Sequence, residues 1–124
     1  MRNGIVAEWC ADPYRKNVTL FADEGSMAKY LKKYEPECEW YKGKGGGASY
    51  YIESRRECVI GIFDRNHSSL AHECTHATLE ILEKAGIHPF EARGEPMAYL
   101  LAELVHRATN ALRKHGVKLR EYNW

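Results

Sequence analysis

Residues 72–76 read His-Glu-Cys-Thr-His, so two histidines stand four positions apart and a glutamate directly follows the first. On an α-helix, four positions correspond to about 400° of rotation, which places His72 and His76 on nearly the same face, one turn apart. Two imidazoles in this arrangement can both ligate one tetrahedral zinc ion. Glu73 falls about 100° around the helix, beside the metal, where a carboxylate can act as a general base on water. The motif therefore predicts a zinc site with hydrolytic chemistry.

A helical pair of histidines at this spacing can also consist of two side chains that are only solvated or hydrogen-bonded. Two features of the sequence favour a metal. The pair adjoins the apolar stripe of its predicted helix instead of lying opposite to it. In addition, a glutamate occupies the one position that the hydrolytic chemistry requires.

A zinc site needs a third protein ligand, and the sequence offers two alternatives. Glu95 follows His76 after eighteen intervening residues, and His88 lies in a Gly-Ile-His-Pro segment, as a ligand of the kind seen in SprT-like proteases. The metzincin pattern would place a third histidine at position 82, but that residue is Leu82, which excludes the metzincins.

The pattern His-Glu-x-x-His-x18-Glu resembles that of the gluzincins, a group of zinc metallopeptidases that includes the thermolysin branch. The similarity covers about residues 58–105, including the segment GEPMAYLLAEL. It implies a small zincin-like domain, zinc as the cofactor, and a peptide or protein as the substrate. It also implies that the zinc ligands are His72, His76 and Glu95. The resemblance makes Glu73 the catalytic base. In its small size and its His-Glu-x-x-His motif, the chain also resembles proteins encoded by phages and mobile elements.

The chain departs from the gluzincin pattern in two respects. The aspartate that usually follows the glutamate ligand by one turn is absent, and the large helical subdomain that supplies further catalytic groups is not expected in 124 residues. Tyr99 lies one turn after Glu95 on the same predicted helix face. It is therefore a candidate catalytic residue, which either donates to the oxyanion or lines the cleft.

Three other functions compete with a peptidase. A binding module could keep the zincin scaffold and its zinc without turnover and act through a protein partner. A peptide deformylase would need a cysteine ligand, but the nearest upstream cysteine, Cys58, stands only fourteen residues before His72. A zinc nucleotide deaminase is disfavoured, because the chain has neither His-x-Glu nor Pro-Cys-x-x-Cys.

The elements that would position these residues form an α+β pattern, with a twisted, mostly N-terminal β-sheet. Alternating residues predict strands, and the glycine-rich segment 42–48 predicts a hairpin loop between two of them. A helix capped by Ser26 should bury Met27, Tyr30, Leu31 and Tyr34, and Pro36 should end it. The predicted strands cover residues 5–9, 17–22, 37–41, 49–54 and 58–63.

The apolar run 58–63 predicts a strand that is buried on both faces or lies beside the cleft. It directly precedes the active-site helix, where zincins place a strand whose exposed edge pairs with extended substrate.

Two long helices should make up the C-terminal half. Ser68 or Ser69 can cap the active-site helix, which would run to about Ala85 and stop at Gly86. Its expected apolar stripe consists of Ala71, Cys74, Thr78, Ile81, Leu82 and Ala85. The second helix should run from near Pro96 to about His115, with Gly116 ending it. Its expected core face consists of Met97, Leu100, Leu101, Leu104, Ala108 and Leu112.

The composition is that of one globular domain covering residues 1–124. A formal net charge of +1, with 28% charged residues, gives no reason to expect nucleic acid or a membrane surface as a partner. No secretory signal or membrane span is recognisable, so a cytoplasmic location is expected. The four cysteines lack any Cys-x-x-Cys pair and are expected to be reduced, although a Cys10–Cys38 bridge stays open.

Overall fold

The computed structural model describes residues 3–37 and 45–120. In this part of the chain, four strands form one mixed sheet and three α-helices pack against it. Their order is β1 (Ile5–Ala11), β2 (Lys16–Phe21), α1 (Glu24–Tyr34), β3 (Gly47–Ile52), β4 (Glu57–Ile62), α2 (His67–Lys84) and α3 (Glu95–Lys114). The expected α+β class, with mostly N-terminal strands and a C-terminal helix, is confirmed. Of the strand predicted at 37–41, Glu37 lies in a turn and the rest falls outside the described residues.

The strand order in the sheet is β1-β2-β4-β3. The β2 and β4 strands are parallel, whereas β1 pairs antiparallel with β2 and β3 pairs antiparallel with β4. This order corrects one prediction, because β4, the apolar run, has a neighbour on each side and presents no open edge. Among the described strands, the one at the edge beside α2 is β3 instead.

Side chains alternate between the two faces of the sheet, and each face has its own core. One face packs against α1 and contains Phe21, Met27, Tyr30, Leu31, Ile52 and Val59. The other face packs against α2 and α3 through residues such as Leu20, Ile60, Leu70, Ile81 and Leu104. Every residue of β4 is buried, which confirms that this strand is covered on both faces.

The helices begin earlier than predicted. Asp23 caps α1 by accepting a hydrogen bond from the Ser26 backbone N–H at 3.0 Å, and Asn66 caps α2 by accepting from the Ser68 N–H at 2.9 Å. The predicted serine caps were therefore wrong, because an Asp or Asn two or three residues upstream supplies the accepting oxygen. The predicted glycine stops are confirmed, since Gly86 and Gly116 adopt φ of +75° and +86° after α2 and α3.

The buried stripe of α2 is displaced slightly from the prediction. Cys74, Thr78, Ile81 and Leu82 are buried as expected, whereas Ala71 and Ala85 are exposed. Leu70, Glu73 and Ala77 are buried in addition. On α3, Leu100, Leu104, Ala108 and Leu112 are buried, with Met97 and Leu101 half-buried beside them. No helix in the described ranges is long and apolar enough to cross a membrane.

Candidate metal centre

His72 and His76 project from the exposed side of α2 and converge. Their Nε2 atoms are 3.2 Å apart, and the ring centroids are separated by 4.8 Å with an interplanar angle of 74°. Two imidazoles on one tetrahedral zinc ion, each at about 2.0–2.1 Å, would place their ligating nitrogens roughly 3.3 Å apart. The observed separation fits that requirement. Without a metal, the same distance allows one imidazole N–H to donate to the lone pair of the other.

Glu73 has a different environment from its histidine neighbours, because it faces the sheet and is only 7% exposed. It packs against Gly47, the first residue of β3. A Cβ atom at position 47 would lie 3.0 Å from Glu73 Cγ and 2.5 Å from the Gly61 carbonyl oxygen. Only glycine therefore allows the edge strand to approach the carboxylate-bearing side chain this closely.

The segment before β3 is fixed to the start of α2 by a small polar cluster. The Gly46 carbonyl oxygen accepts hydrogen bonds from the N–H groups of Phe63 and Asp64 at 2.7 and 3.2 Å. The Asp64 carboxylate in turn accepts from the Ser69 hydroxyl at 2.7 Å and from the Asn66 N–H at 2.9 Å. A side chain at position 46 would collide with Asp64 and Ser69.

Sequence reasoning missed the contribution of Gly46 and Gly47. It interpreted the glycine-rich segment as a flexible hairpin loop, and residues 42–44 of that segment lie outside the described part. The available signal was that three consecutive glycines lead directly into a strand, since glycine at a strand boundary often marks a close backbone approach.

The third ligand is not identified by the structure. In residues 3–37 and 45–120, no group of three His, Cys, Asp or Glu side chains is arranged to hold a metal ion. Glu95 is exposed at the start of α3, and Tyr99, one turn later, is 74% exposed. His88 is exposed in the α2–α3 connection, where its Nδ1 accepts from the Phe90 N–H at 3.1 Å. Both candidate ligands, Glu95 and His88, stay predictions.

A cavity of about 380 Å³ lies between β3 and α2, next to His76. Seven described residues line it, which are Ser49, Tyr50, Tyr51, Cys58, His76, Ala77 and Glu80. The cavity begins at His76, one of the candidate zinc ligands, and extends along α2 to Glu80. It can therefore receive a side chain of a molecule that is bound over the histidine pair.

The described cysteines are free thiols, as predicted, and two of them are buried. Burial raises the pKa of Cys58 to about 12 and that of Cys74 to about 12, because a thiolate is poorly solvated there. Both side chains belong to the core between the sheet and the two long helices, whereas the histidine pair lies on the exposed side of α2. Cys10 is exposed, and Cys38 of the possible Cys10–Cys38 bridge lies outside the described residues.

The site thus combines a converging histidine pair on the surface of α2, a buried glutamate between them in sequence, and an edge strand that runs beside the same helix. This arrangement can bring a metal, a base and an extended chain to one place. No protein-family model, curated protein or solved structure was found to match this chain.

Proposed function

We propose that the chain is a zinc-dependent metallopeptidase of the gluzincin type that hydrolyses peptide bonds. The observation that carries the proposal is the 3.2 Å separation of the His72 and His76 Nε2 atoms on one exposed helix face, with the buried Glu73 between them in sequence. These two histidines would hold the zinc, with Glu95 as the third ligand and His88 as the alternative. Zinc, when bound, supplies a Lewis acid that lowers the pKa of water and polarises a carbonyl oxygen.

Glu73 is proposed as the general base. Its carboxylate would accept a proton from the attacking water and then donate that proton to the nitrogen of the leaving amine. Burial against Gly47 restricts its side-chain rotamers, which favours one fixed position for the carboxylate. Tyr99 is retained as a candidate donor to the oxyanion, because its high exposure leaves its hydroxyl accessible to a bound peptide.

The edge strand β3 is proposed to bind the substrate backbone. Among the described strands it pairs with β4 alone, and we propose that its other side hydrogen-bonds with an extended peptide. Gly47, Ser49 and Tyr51 alternate along the face of β3 that is directed at α2. A peptide added to this edge would therefore pass along the helix that carries His72 and His76.

The proposal is tested by measuring zinc content and peptide cleavage in the same set of variants. Wild type should hold one zinc per chain and cleave members of a broad peptide library near neutral pH. Glu73→Gln should keep its zinc and lose activity by about 10²–10⁴-fold, because the amide is nearly isosteric but cannot accept the proton. His76→Ala should lose both zinc and activity. His106→Ala is the matched control, since His106 is exposed on α3 and contacts Asn110, and it should lose neither.

The same measurement distinguishes the two candidate third ligands. Glu95→Gln should weaken zinc binding, whereas His88→Ala should leave it unchanged. If His88→Ala weakened zinc binding and Glu95→Gln did not, His88 would be the third ligand, and the zinc site itself would still be supported.

A binding module is the second candidate function. The observation that favours it is that Tyr99 stands one turn after Glu95, where the gluzincin pattern has an aspartate. If zinc-replete wild type cleaves no member of the library, the peptidase proposal fails. Retained zinc together with a specific protein partner would then support the binding module.

A further inference from the structure

The cavity beside His76 has one formally charged carboxylate in its described lining. Glu80 stands one turn after His76 on α2 and is half-buried, and the other six described lining residues carry no carboxylate. Ser49 and Tyr51, on the face of β3 that is directed at α2, supply hydroxyl groups opposite the helix. The cavity is therefore polar, carries negative charge on the helix side, and opens next to the proposed zinc ligand.

Neighbouring cations do not neutralise Glu80 by direct contact. Among the ion pairs of the described residues, none includes Glu80. Lys84, one turn further along α2, instead donates a hydrogen bond to Glu53, which raises the pKa of the lysine. The Lys84 ammonium thus acts on the carboxylates of both Glu53 and Glu80, and it is hydrogen-bonded to Glu53.

Tyr51 shows that this region accommodates a cation. The Lys84 ammonium lies 5.1 Å from the centre of the Tyr51 ring, within the range of a cation–π contact. Tyr51 also lines the cavity that contains Glu80. A lysine or arginine side chain in the cavity would meet the Glu80 carboxylate and would share the Tyr51 ring with Lys84.

We propose that this cavity is a substrate subsite that binds a lysine or arginine side chain, with Glu80 as the specificity-determining residue. The inference rests on the proposed peptidase function and adds to it the substrate class. A peptide paired with β3 would direct alternate side chains toward α2, and the one beside His76 would enter the cavity next to Glu80. Its ammonium or guanidinium group would then pair with the Glu80 carboxylate.

The test uses zinc-loaded protein and peptides that carry lysine, norleucine or glutamate at each position in turn. We expect lysine to be preferred over norleucine by about fivefold in kcat/KM at a single position near the cleaved bond. Glu80→Gln should remove this preference, and Glu80→Lys should shift it toward glutamate. Glu83→Gln removes a charge from an exposed position on the same helix and should keep the wild-type preference. An equal preference in wild type and Glu80→Gln would overturn the proposal.

A binding measurement separates failure of this inference from failure of the peptidase proposal. The inactive Glu73→Gln protein should bind at least one lysine peptide of the set about fivefold more tightly than its norleucine analogue, and adding Glu80→Gln should make the two affinities equal. If no peptide is cleaved but this difference in binding is found, the peptidase proposal fails. The proposal that the cavity binds a lysine or arginine side chain is then still supported. If binding shows no difference, the subsite is overturned whether or not peptides are cleaved.

Discussion

Neighbouring residues on α2 have opposite environments, because successive side chains point about 100° apart around the helix. His72 and His76 are exposed and available to a ligand, whereas Glu73 and Cys74 face the sheet and are buried. The same five-residue motif therefore contributes to the surface site and to the core. Cys74 belongs to the core part, and the raised pKa of its thiol follows from that burial.

Thiol reactivity should follow this division between surface and core. With iodoacetamide near pH 8, Cys10 should be alkylated in the folded protein, whereas Cys58 and Cys74 should be protected until the protein unfolds. Peptide mass spectrometry before and after denaturation measures each site. Alkylation of Cys58 in native protein at the rate of Cys10 would contradict its burial.

The proposed zinc content should also survive Cys58→Ser, and loss of zinc in this variant would favour a deformylase-like ligand set.

The contact between β3 and α2 depends on a backbone without a side chain at position 47. Gly47→Ala should therefore destabilise the fold by about 1–3 kcal/mol, because the new methyl group meets the Gly61 carbonyl and the Glu73 side chain. Denaturant unfolding measures this loss. The proposed peptidase activity should fall further than stability alone explains, since Glu73 is displaced.

The control for this element is Gly25→Ala in α1. The nearest atoms to a Cβ atom there lie 3.8 Å away, so no clash arises. Alanine is also the better helix former, and the variant should be more stable by up to about 1 kcal/mol. If both variants changed stability equally, a close approach at Gly47 would be refuted.

At the scale of the whole molecule, the sheet buries ionisable groups on both of its faces. On the α1 face, the Glu57 carboxylate accepts hydrogen bonds from Thr19, from the Tyr30 hydroxyl at 2.6 Å and from Arg55 Nε at 2.8 Å. Burial, followed by the hydrogen bond to Glu57, raises the pKa of Tyr30 to about 12. The Cys58 and Cys74 thiols belong to the opposite core.

These shifts predict that the protein loses stability in alkali. A group whose pKa is raised by folding contributes its full stabilisation below its unfolded pKa and loses it as the pH rises toward the folded value. For the two thiols the window runs from 9.0 to about 12, and each can lower the free energy of unfolding by up to about 1.4 kcal/mol per pH unit. Denaturant unfolding between pH 8 and 11 measures the slope. Cys58→Ala/Cys74→Ala should reduce it, and an unchanged slope would rule out the thiols as its source.

The sequence by itself determined the features that depend on local geometry. Three features follow from spacing within one segment: the helical placement of His72 and His76, the glycine stops after α2 and α3, and the buried character of residues 58–62. The i, i+4 relation places the two imidazoles on one helix face, so no distant residue was needed to predict that they are neighbours.

Only the tertiary structure decided which residues from different segments meet. Pairing between distant strands placed β4 inside the sheet and β3 at the edge, and an apolar pattern does not encode the order of strands. The contact of Gly47 with Glu73, and the cavity that joins Tyr51 to Glu80, likewise connect residues far apart in sequence. Such contacts depend on how the helix crosses the sheet, which is set by the packing of both cores together.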